Sequence, residues 1–594
     1  MSKPNADNRS DYVSMLESLR DRERSAQLPR LRWALLANTT QEPLRPFLRQ
    51  VCYDLGYDAD IWIGGYDTAL QDAAAQPCAE ADVVVVALRL QVLAPALVDR
   101  FATLSGEAAR AETQRVLDYV AAVVAAVRQR SRGVILVHNF ETPIHPTFGV
   151  MDYRNVAGQV NTIRRLNLDL ADRLSREAST FVIDLDAIRA RLSDDRFVDP
   201  RTWHIGRVPY TRQAMQAIAG EYLKIVRALK GRNRKCLVVD ADGTLWGGIV
   251  GEDGAEGVRV GQAFPGSPFY EFQQALLALR DRGILLALCS KNDEQAVAEV
   301  FSARAADMPL RLDHFAAVRV NWSDKAQNIR EIAAELDIGL DSLVFVDDNP
   351  HETALVAELL PAVRTILLPA DPVEYRDVLA ACDLFDAIAF SDEDRRRSEL
   401  YAAERQRRLE ESSSLSVDDY LRGLEMEAVV DRVDDRSLAR VAQLTQKTNQ
   451  FNLTTRRYAE SDIRRFLASA HHDVLAIRVR DRLGDSGIVG VAIVRHDRDH
   501  SLIDTFLMSC RVLGRGVEDA LLTACLRVSH RRAVPELIGE FIPTAKNGRV
   551  ADFYPSRGFA ADGAGRFRRS IADAPIAFPS HFKSVLVEGE QAVS

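Results

Sequence analysis

The sequence predicts a multidomain α/β protein, and three observations carry that prediction. At 594 residues the chain is too long for one hydrophobic core. Through its first two thirds, short apolar runs alternate with amphipathic stretches, the pattern of parallel strands covered by helices. Near residue 415 the pattern changes to consecutive strands of period two with no helices between them, which predicts an antiparallel α+β domain.

Taken in order, residues 1–230 place predicted strands at 33–37, 83–87, 134–137 and 181–184, each followed by a helical stretch. Residues 231–390 repeat the pattern with strands at 236–239, 284–288 and 343–346. Residues 391–414 are highly charged and end in Glu410-Glu-Ser-Ser-Ser414, which reads as a solvated linker helix. Residues 415–594 hold the third domain, with strands at 475–479, 488–494 and 501–508.

Composition narrows the function classes. The chain is 47% hydrophobic and 27% charged, ordinary for globular protein. A net charge of -9 with both signs interspersed argues against a broad nucleic-acid surface. No 18-residue apolar run occurs and the first residues are polar, so neither a membrane span nor a signal segment is expected, and a cytoplasmic location is. The seven cysteines (Cys52, Cys78, Cys236, Cys289, Cys382, Cys510 and Cys525) form no C-x-x-C pair, which supports neither a disulfide framework nor a structural zinc site.

The chemistry concentrates in the second segment. The apolar run 236–239 ends in Asp240-Ala-Asp242-Gly-Thr244, two carboxylates one residue apart at a strand tip. Alone, Asp-x-Asp is a weak signal, because acidic residues after strands commonly cap helices or occupy turns. Three further signals follow in order on successive αβ junctions: Cys289-Ser290 at the end of 284–288, Lys325 at the start of an amphipathic helix, and Asp347-Asp348 after 343–346. Together they resemble the haloacid-dehalogenase (HAD) constellation. In that reading Asp240 attacks phosphorus, Asp242 serves as general acid and base, and Asp240, Asp242, Asp347 and Asp348 hold Mg²⁺. Thr244, Ser290 and Lys325 hold the phosphoryl oxygens and balance their charge. The intervals 242–290 and 290–325 leave little room for a lid, so the site is expected to be open to a bulky substrate, another domain or a carrier protein.

In the third domain, predicted strand 501–508 runs into Ser509-Cys510-Arg511-Val-Leu-Gly514-Arg-Gly516 before a helix. This resembles the pyrophosphate loop of GCN5-related (GNAT) acyltransferases, in which amides at a helix N-terminus bind pantetheine phosphates. Asn547 through Tyr554 to Gly558-Phe559 resembles a later segment of that superfamily. Arg511, Gly514, Gly516, Asn547 and Tyr554 are the predicted pantetheine contacts, for either coenzyme A or the phosphopantetheine arm of a carrier protein.

The joined runs Asp240–254, Cys289-Ser-Lys-Asn292, Val320-Asn-Trp322 with Lys325, Val346-Asp-Asp-Asn-Pro350, Thr448-Asn-Gln-Phe-Asn-Leu-Thr-Thr455 and Ser509–515 resemble the FkbH-like family of polyketide biosynthesis. That resemblance implies a bifunctional glyceryl transferase/phosphatase. Such an enzyme draws on 1,3-bisphosphoglycerate, removes its phosphates, and loads a glyceryl thioester onto an acyl carrier protein through an enzyme cysteine. Cys510, just before the loop, is the favoured relay. Cys289 is the second candidate, although strand alternation turns it away from the face that Ser290 presents. The resemblance also implies an SGNH-hydrolase-like fold for residues 1–230. Ala37-Asn38-Thr39-Thr40 stands where such hydrolases carry their serine, Asn139 follows strand 134–137, and Asp199 with His204 departs from the usual Asp-x-x-His spacing, so that domain is read as non-catalytic. Two other readings stay open: a HAD phosphatase fused to a coenzyme A-dependent acyltransferase, and a carrier-protein docking scaffold with vestigial chemistry.

Overall fold

The computed structural model describes residues 28–388 apart from 178, and 416–591 apart from 449, 510–511, 545–546, 564, 574–575, 577–579 and 588–589, together with Leu19 and Arg407. The chain divides into two compact units, Met1–Arg227 and Ala228–Ser594.

The first unit is built on five parallel strands: β1 Arg30–Ala37, β2 Asp58–Tyr66, β3 Val83–Ala87, β4 Val134–His138 and β5 Thr180–Ile183, in the order β2-β1-β3-β4-β5. Every residue of β3 and β4 is buried, as expected of strands with helices on both faces. Helix α1 (Gly106–Arg130) shows how the cover forms. Ser105 caps it by accepting the Ala108 amide at 3.1 Å, Val116, Val120, Val123 and Val127 make one apolar stripe, and the basic residues Arg128 and Arg130 fall in its last turn. Helix α2 (Gln159–Ser175) buries Ile163, Leu166 and Leu170 in the same way, and the short helix α3 (Pro200–Gly206) carries Trp203. The edge strand β2 was not foreseen, because its apolar run, Ile61-Trp62-Ile63, is only three residues long and half-exposed.

In the second unit, strands β6 Cys236–Val239, β7 Leu285–Ser290, β8 Ala317–Val320, β9 Leu343–Asp347 and β10 Arg364–Leu367 form a parallel sheet in the order β10-β9-β6-β7-β8. Alternation on central β6 sends Leu237 and Val239 into one core and Cys236 and Val238 into the other. Helices α4 (Ser267–Asp281), α5 (Lys325–Glu335) and α6 (Pro350–Leu359) connect these strands. Because β6 is flanked on both sides, the strand order reverses at its carboxyl end, the usual place for a ligand crevice in an open α/β sheet.

The third sheet comprises β11 Met426–Arg432, β12 Phe451–Asn452, β13 His472–Asp481, β14 Gly484–His496, β15 Ser501–Met508, β16 Glu536–Glu540, β17 Ala560–Ala561, β18 Arg566–Ser570, β19 Phe582–Val587 and β20 Glu590–Gln591. The expectation of a purely antiparallel sheet needs correction. β11 pairs with β19 and β15 with β16 in parallel, the latter through a crossover that contains helix α7 (Val517–Arg531). β15 and β16 pair only at Ser501–Ile503 with Leu537–Gly539 and then part. The chain's own β12 enters that gap, with Phe451 opposite Met508 and Asn452 opposite Leu507. Leu453 continues the seam, donating to the Phe506 carbonyl at 3.0 Å and accepting the Ile542 amide at 2.8 Å.

The predicted linker 391–414 lies outside the described residues except for Arg407. That arginine is buried and clasps Asp481 with two nitrogens, each at 2.8 Å, so this position is not part of a solvated face.

Candidate active site

The four strand-tip signals converge at the carboxyl edge of the second sheet. Buried Asp240 leaves β6 with its amide donating to the Val346 carbonyl at 3.2 Å, so the sheet holds it beside the end of β9. Asp347 ends β9 fully buried, and its Oδ1 accepts the Asn349 amide at 2.8 Å. Lys325, at the start of α5, is brought to the same point because Asp324 caps that helix by accepting the Ala326 amide at 2.6 Å. Its Nζ reaches Asp347 Oδ2 at 2.6 Å and Asp240 Oδ2 at 3.0 Å, with the ammonium almost wholly buried.

Asp348 completes the cluster. Thr244 donates to its Oδ1 at 3.3 Å, and Gly243 passes so close that a β carbon there would sit 2.3 Å from Asp348 Oδ2. Gly243 also has φ +73°, so the turn after Asp242 requires glycine on both counts. Tyr375 fixes the turn from the other side, its hydroxyl donating to the Gly243 carbonyl at 2.9 Å.

Carboxylate oxygens of Asp240, Asp347 and Asp348 lie within 4.8 Å of one another. One ammonium faces three carboxylates, and that imbalance out of water governs the protonation energetics. Burial and the neighbouring Asp240 charge push Asp347 up to about 7, with Lys325 opposing. Burial followed by Asp240 raises Asp348 in the same way. Burial works against the Lys325 ammonium, but Asp240 and Asp347 together outweigh it and hold its pKa above the ordinary lysine value.

Asp240 Oδ1 is buried with no hydrogen-bond partner among the described residues. An orphaned anionic oxygen beside two further carboxylates, all hard oxygen donors, fits a divalent cation such as Mg²⁺. Asp240, Asp347 and Asp348 are the side chains that would hold it.

Asp242 was expected among the metal ligands, but its carboxylate turns elsewhere. Oδ1 accepts the Trp246 indole N–H at 2.7 Å, Oδ2 accepts the Asn292 amide at 2.8 Å, and the Val250 amide lies within 3.3 Å of both oxygens. Burial raises its pKa despite these donors. Trp246 and Asn292 thus position Asp242, a role that neither received from the sequence although both lie in the motif runs. Tyr375, 132 residues from the turn it fixes, had no sequence signal.

Ser290 is buried at the end of β7, one strand from Asp240. Cys289 requires correction as a catalytic candidate. It lies in the opposite core with Cys236, Ala287 and Phe345, its Sγ 3.9 Å from the Lys325 carbonyl, and burial pushes its thiol up to about 12. A neutral thiol in an apolar core is no nucleophile.

In the third sheet, Cys510 and Arg511 lie outside the described residues. Gly514 and Gly516 adopt φ +76° and +74°, and Gly516 begins α7. Asn547 does not fit the predicted pantetheine role. Asn547 is fully buried, with its amide donating to the carbonyls of Asn452 at 3.0 Å and Ile542 at 2.9 Å, so it locks β12 in place. The Tyr554 ring packs on Gly539, where a β carbon would meet it at 2.3 Å.

No family model matches the chain, and no curated relative does. By its fold the chain is a structural neighbour of a magnesium-bound phosphatase domain. The particular neighbour is the N-terminal part of the protein BF1531 from Bacteroides fragilis, containing a phosphatase domain and complexed with Mg. It shares 28% identity with this chain at TM-score 0.58, over 63% of this chain and 99% of that one. Matches to the ribosomal-protein-S18-alanine N-acetyltransferase of Escherichia coli and to Ard1 of Thermoplasma volcanium, each 15% identical at TM-score 0.20, cover 25% of this chain and 96% and 99% of theirs. Scores that low carry no weight.

Proposed function

We propose that the second unit houses a Mg²⁺-dependent phosphatase acting on phosphomonoesters, and that the whole chain uses it in loading a glyceryl unit onto an acyl carrier protein. The observation that carries the phosphatase reading is Asp240, with one oxygen against Lys325 and the other buried and unpartnered beside Asp347 and Asp348.

The chemistry follows from the groups in place. Asp240 attacks phosphorus, the ester P–O bond breaks, and Asp242 donates a proton to the departing oxygen. Asp242 then takes a proton from the water that hydrolyses the aspartyl phosphate. Its raised pKa and its fixed orientation both suit that alternation. Lys325 and Ser290 hold the phosphoryl oxygens as charge shifts onto them. Bound Mg²⁺ would neutralise the repulsion between phosphate and the carboxylate cluster.

The finer reading, with 1,3-bisphosphoglycerate as donor and the phosphopantetheine arm of an acyl carrier protein as acceptor, rests on the FkbH-like motif runs. An open site supports it. Ile249 and Phe264, between β6 and α4, and Trp322, between β8 and α5, are exposed at 50%, 80% and 76% on loops at the carboxyl edge of the sheet. Asn321 and Asn328 brace the Trp322 loop with two reciprocal amide bonds of 3.2 and 2.9 Å. Solvated aromatics beside the site, with Trp322 on a braced loop, suit a docked carrier protein. The acyl-transfer half is assigned to the 509–516 loop, with Cys510 as relay and the glycine amides at the start of α7 as phosphate donors.

Intact-mass analysis of an acyl carrier protein incubated with the enzyme, Mg²⁺ and 1,3-bisphosphoglycerate tests the finer reading. A glyceryl adduct lost in Cys510→Ala is the expected result. An unmodified carrier alongside normal phosphate release would leave the phosphatase and remove the glyceryl transferase.

A further inference from the structure

The first unit has a crevice of its own, at the carboxyl ends of β1 and β3. In an open parallel sheet ligands settle where the strand order reverses, and the order β2-β1-β3-β4-β5 puts that point between β1 and β3. Asn38 leaves one strand and Arg89 the other. The Asn38 side chain donates to the Arg89 carbonyl at 3.1 Å and accepts the Arg89 amide at 2.7 Å, which fixes the backbone that bears the arginine. The Arg89 guanidinium lies 4.4 Å from the centroid of the Trp203 ring, which also carries Arg207 at 4.9 Å. Its Nη1 is buried and has no acceptor among the described residues.

Glu141 faces the same crevice from the end of β4. Its neighbours are clamped on both sides: the Phe140 amide donates to Asn167 at 2.9 Å and the Thr142 amide to Asp186 at 2.8 Å. Glu141 Oε1 is also buried without a partner among the described residues. Tyr210 links the two charges. Burial and the Glu141 carboxylate raise its pKa while Arg89 lowers it. A guanidinium and a carboxyl group, each with one buried atom that no described residue meets and neither bonded to the other, favour a third group that meets both.

We propose that this crevice binds a short carboxylate bearing a hydrogen-bond donor on its α carbon, with the carboxylate on Arg89 Nη1 and the donor on Glu141 Oε1. Hydroxy acids and amino acids share that chemistry. Arg89 and Glu141 follow the neighbouring strands β3 and β4, whose Val86 and Val137 lie opposite each other, which limits the ligand to a few atoms between them. Binding here is independent of the central acidic cluster.

Calorimetric titration of the full chain in EDTA, which keeps metal-held carboxylate off the central site, tests this with D-glycerate and L-serine as probes. Propionate lacks the donor and glycerol lacks the carboxylate. At least one probe should bind, with propionate and glycerol each about tenfold weaker or absent. Arg89→Met should weaken the probe at least about tenfold, Arg89→Lys should weaken it while keeping the charge, and Glu141→Gln should weaken it about threefold. Unfolding temperatures of the variants report whether each folds. Binding of neither probe, or equal affinity in a folded Arg89→Lys protein and the wild type, would overturn the assignment.

Discussion

Replacing Lys325 with methionine tests the electrostatics of the central site most sharply. The substitution keeps the apolar stem and deletes an ammonium that lies 3.0 Å from Asp240 and 2.6 Å from Asp347. At an effective dielectric of about 20, each contact is worth roughly 6 kcal/mol before desolvation. Desolvation of the three groups offsets most of that, and breaking a buried pair typically leaves a net loss of about 3–5 kcal/mol. That range is the expected destabilisation of the metal-free protein at pH 8, above the Asp347 pKa of about 7. At pH 5.5 the loss should shrink, because Asp347, held at about 7, then carries a proton. Adding Mg²⁺ at pH 8 should restore part of it, since a dication replaces the missing charge. Differential scanning calorimetry of both proteins, with EDTA and with Mg²⁺, reads this directly, because the transition that moves with Mg²⁺ reports the central unit. A loss under about 1 kcal/mol in EDTA at pH 8, with no recovery on adding Mg²⁺, would refute the reasoning.

Other outcomes follow from the same geometry. Asp347 has a raised pKa in the fold, so between its ordinary 3.8 and about 7 the native state holds more protons than the unfolded one. Stability of the metal-free central unit should therefore fall as pH rises through that window, by up to about 4 kcal/mol, and saturating Mg²⁺ should flatten the slope in urea titrations. His138 behaves oppositely. It is buried beside Tyr222, its Nε2 2.5 Å from the hydroxyl, and burial lowers it from 6.5 to about 3. Its stabilisation of the first unit is complete above 6.5 and should decline by up to about 5 kcal/mol as pH falls toward 3, a decline that a folded His138→Gln protein should lack in acid melts. Cys289→Ala should leave carrier loading and phosphate release within about twofold of wild type, because the thiol is neutral and packed in the core. A hundredfold loss of loading would reinstate it as the relay.

Much of the central site was legible because its signals are local. Four buried residues precede Asp240 and four precede Asp347, so each carboxylate sits at a strand tip that apolar runs alone identify. The alternation that sends Cys289 into the core was legible for the same reason. The orientation of Asp242 was not, since it depends on an indole four residues away and an amide 50 residues away meeting the same carboxylate. In the third sheet, the two-residue strand β12 has no periodicity to detect. Its insertion takes up Asn547, a predicted ligand contact, through the Asn452 carbonyl. Edge strands β2 and β10 were missed because their apolar runs, Ile61-Trp62-Ile63 and Ile366-Leu367, are short and half-exposed.

The central claim is that Asp240 is the nucleophile of a metal-dependent phosphatase, and phosphate release from p-nitrophenyl phosphate tests it most directly. Wild-type protein should release phosphate with Mg²⁺ and stop in EDTA, and a folded Asp240→Asn protein should be slower by about a thousandfold or more with Mg²⁺ present. Release by Asp240→Asn at the wild-type rate, or wild-type release undiminished by EDTA, would contradict the account.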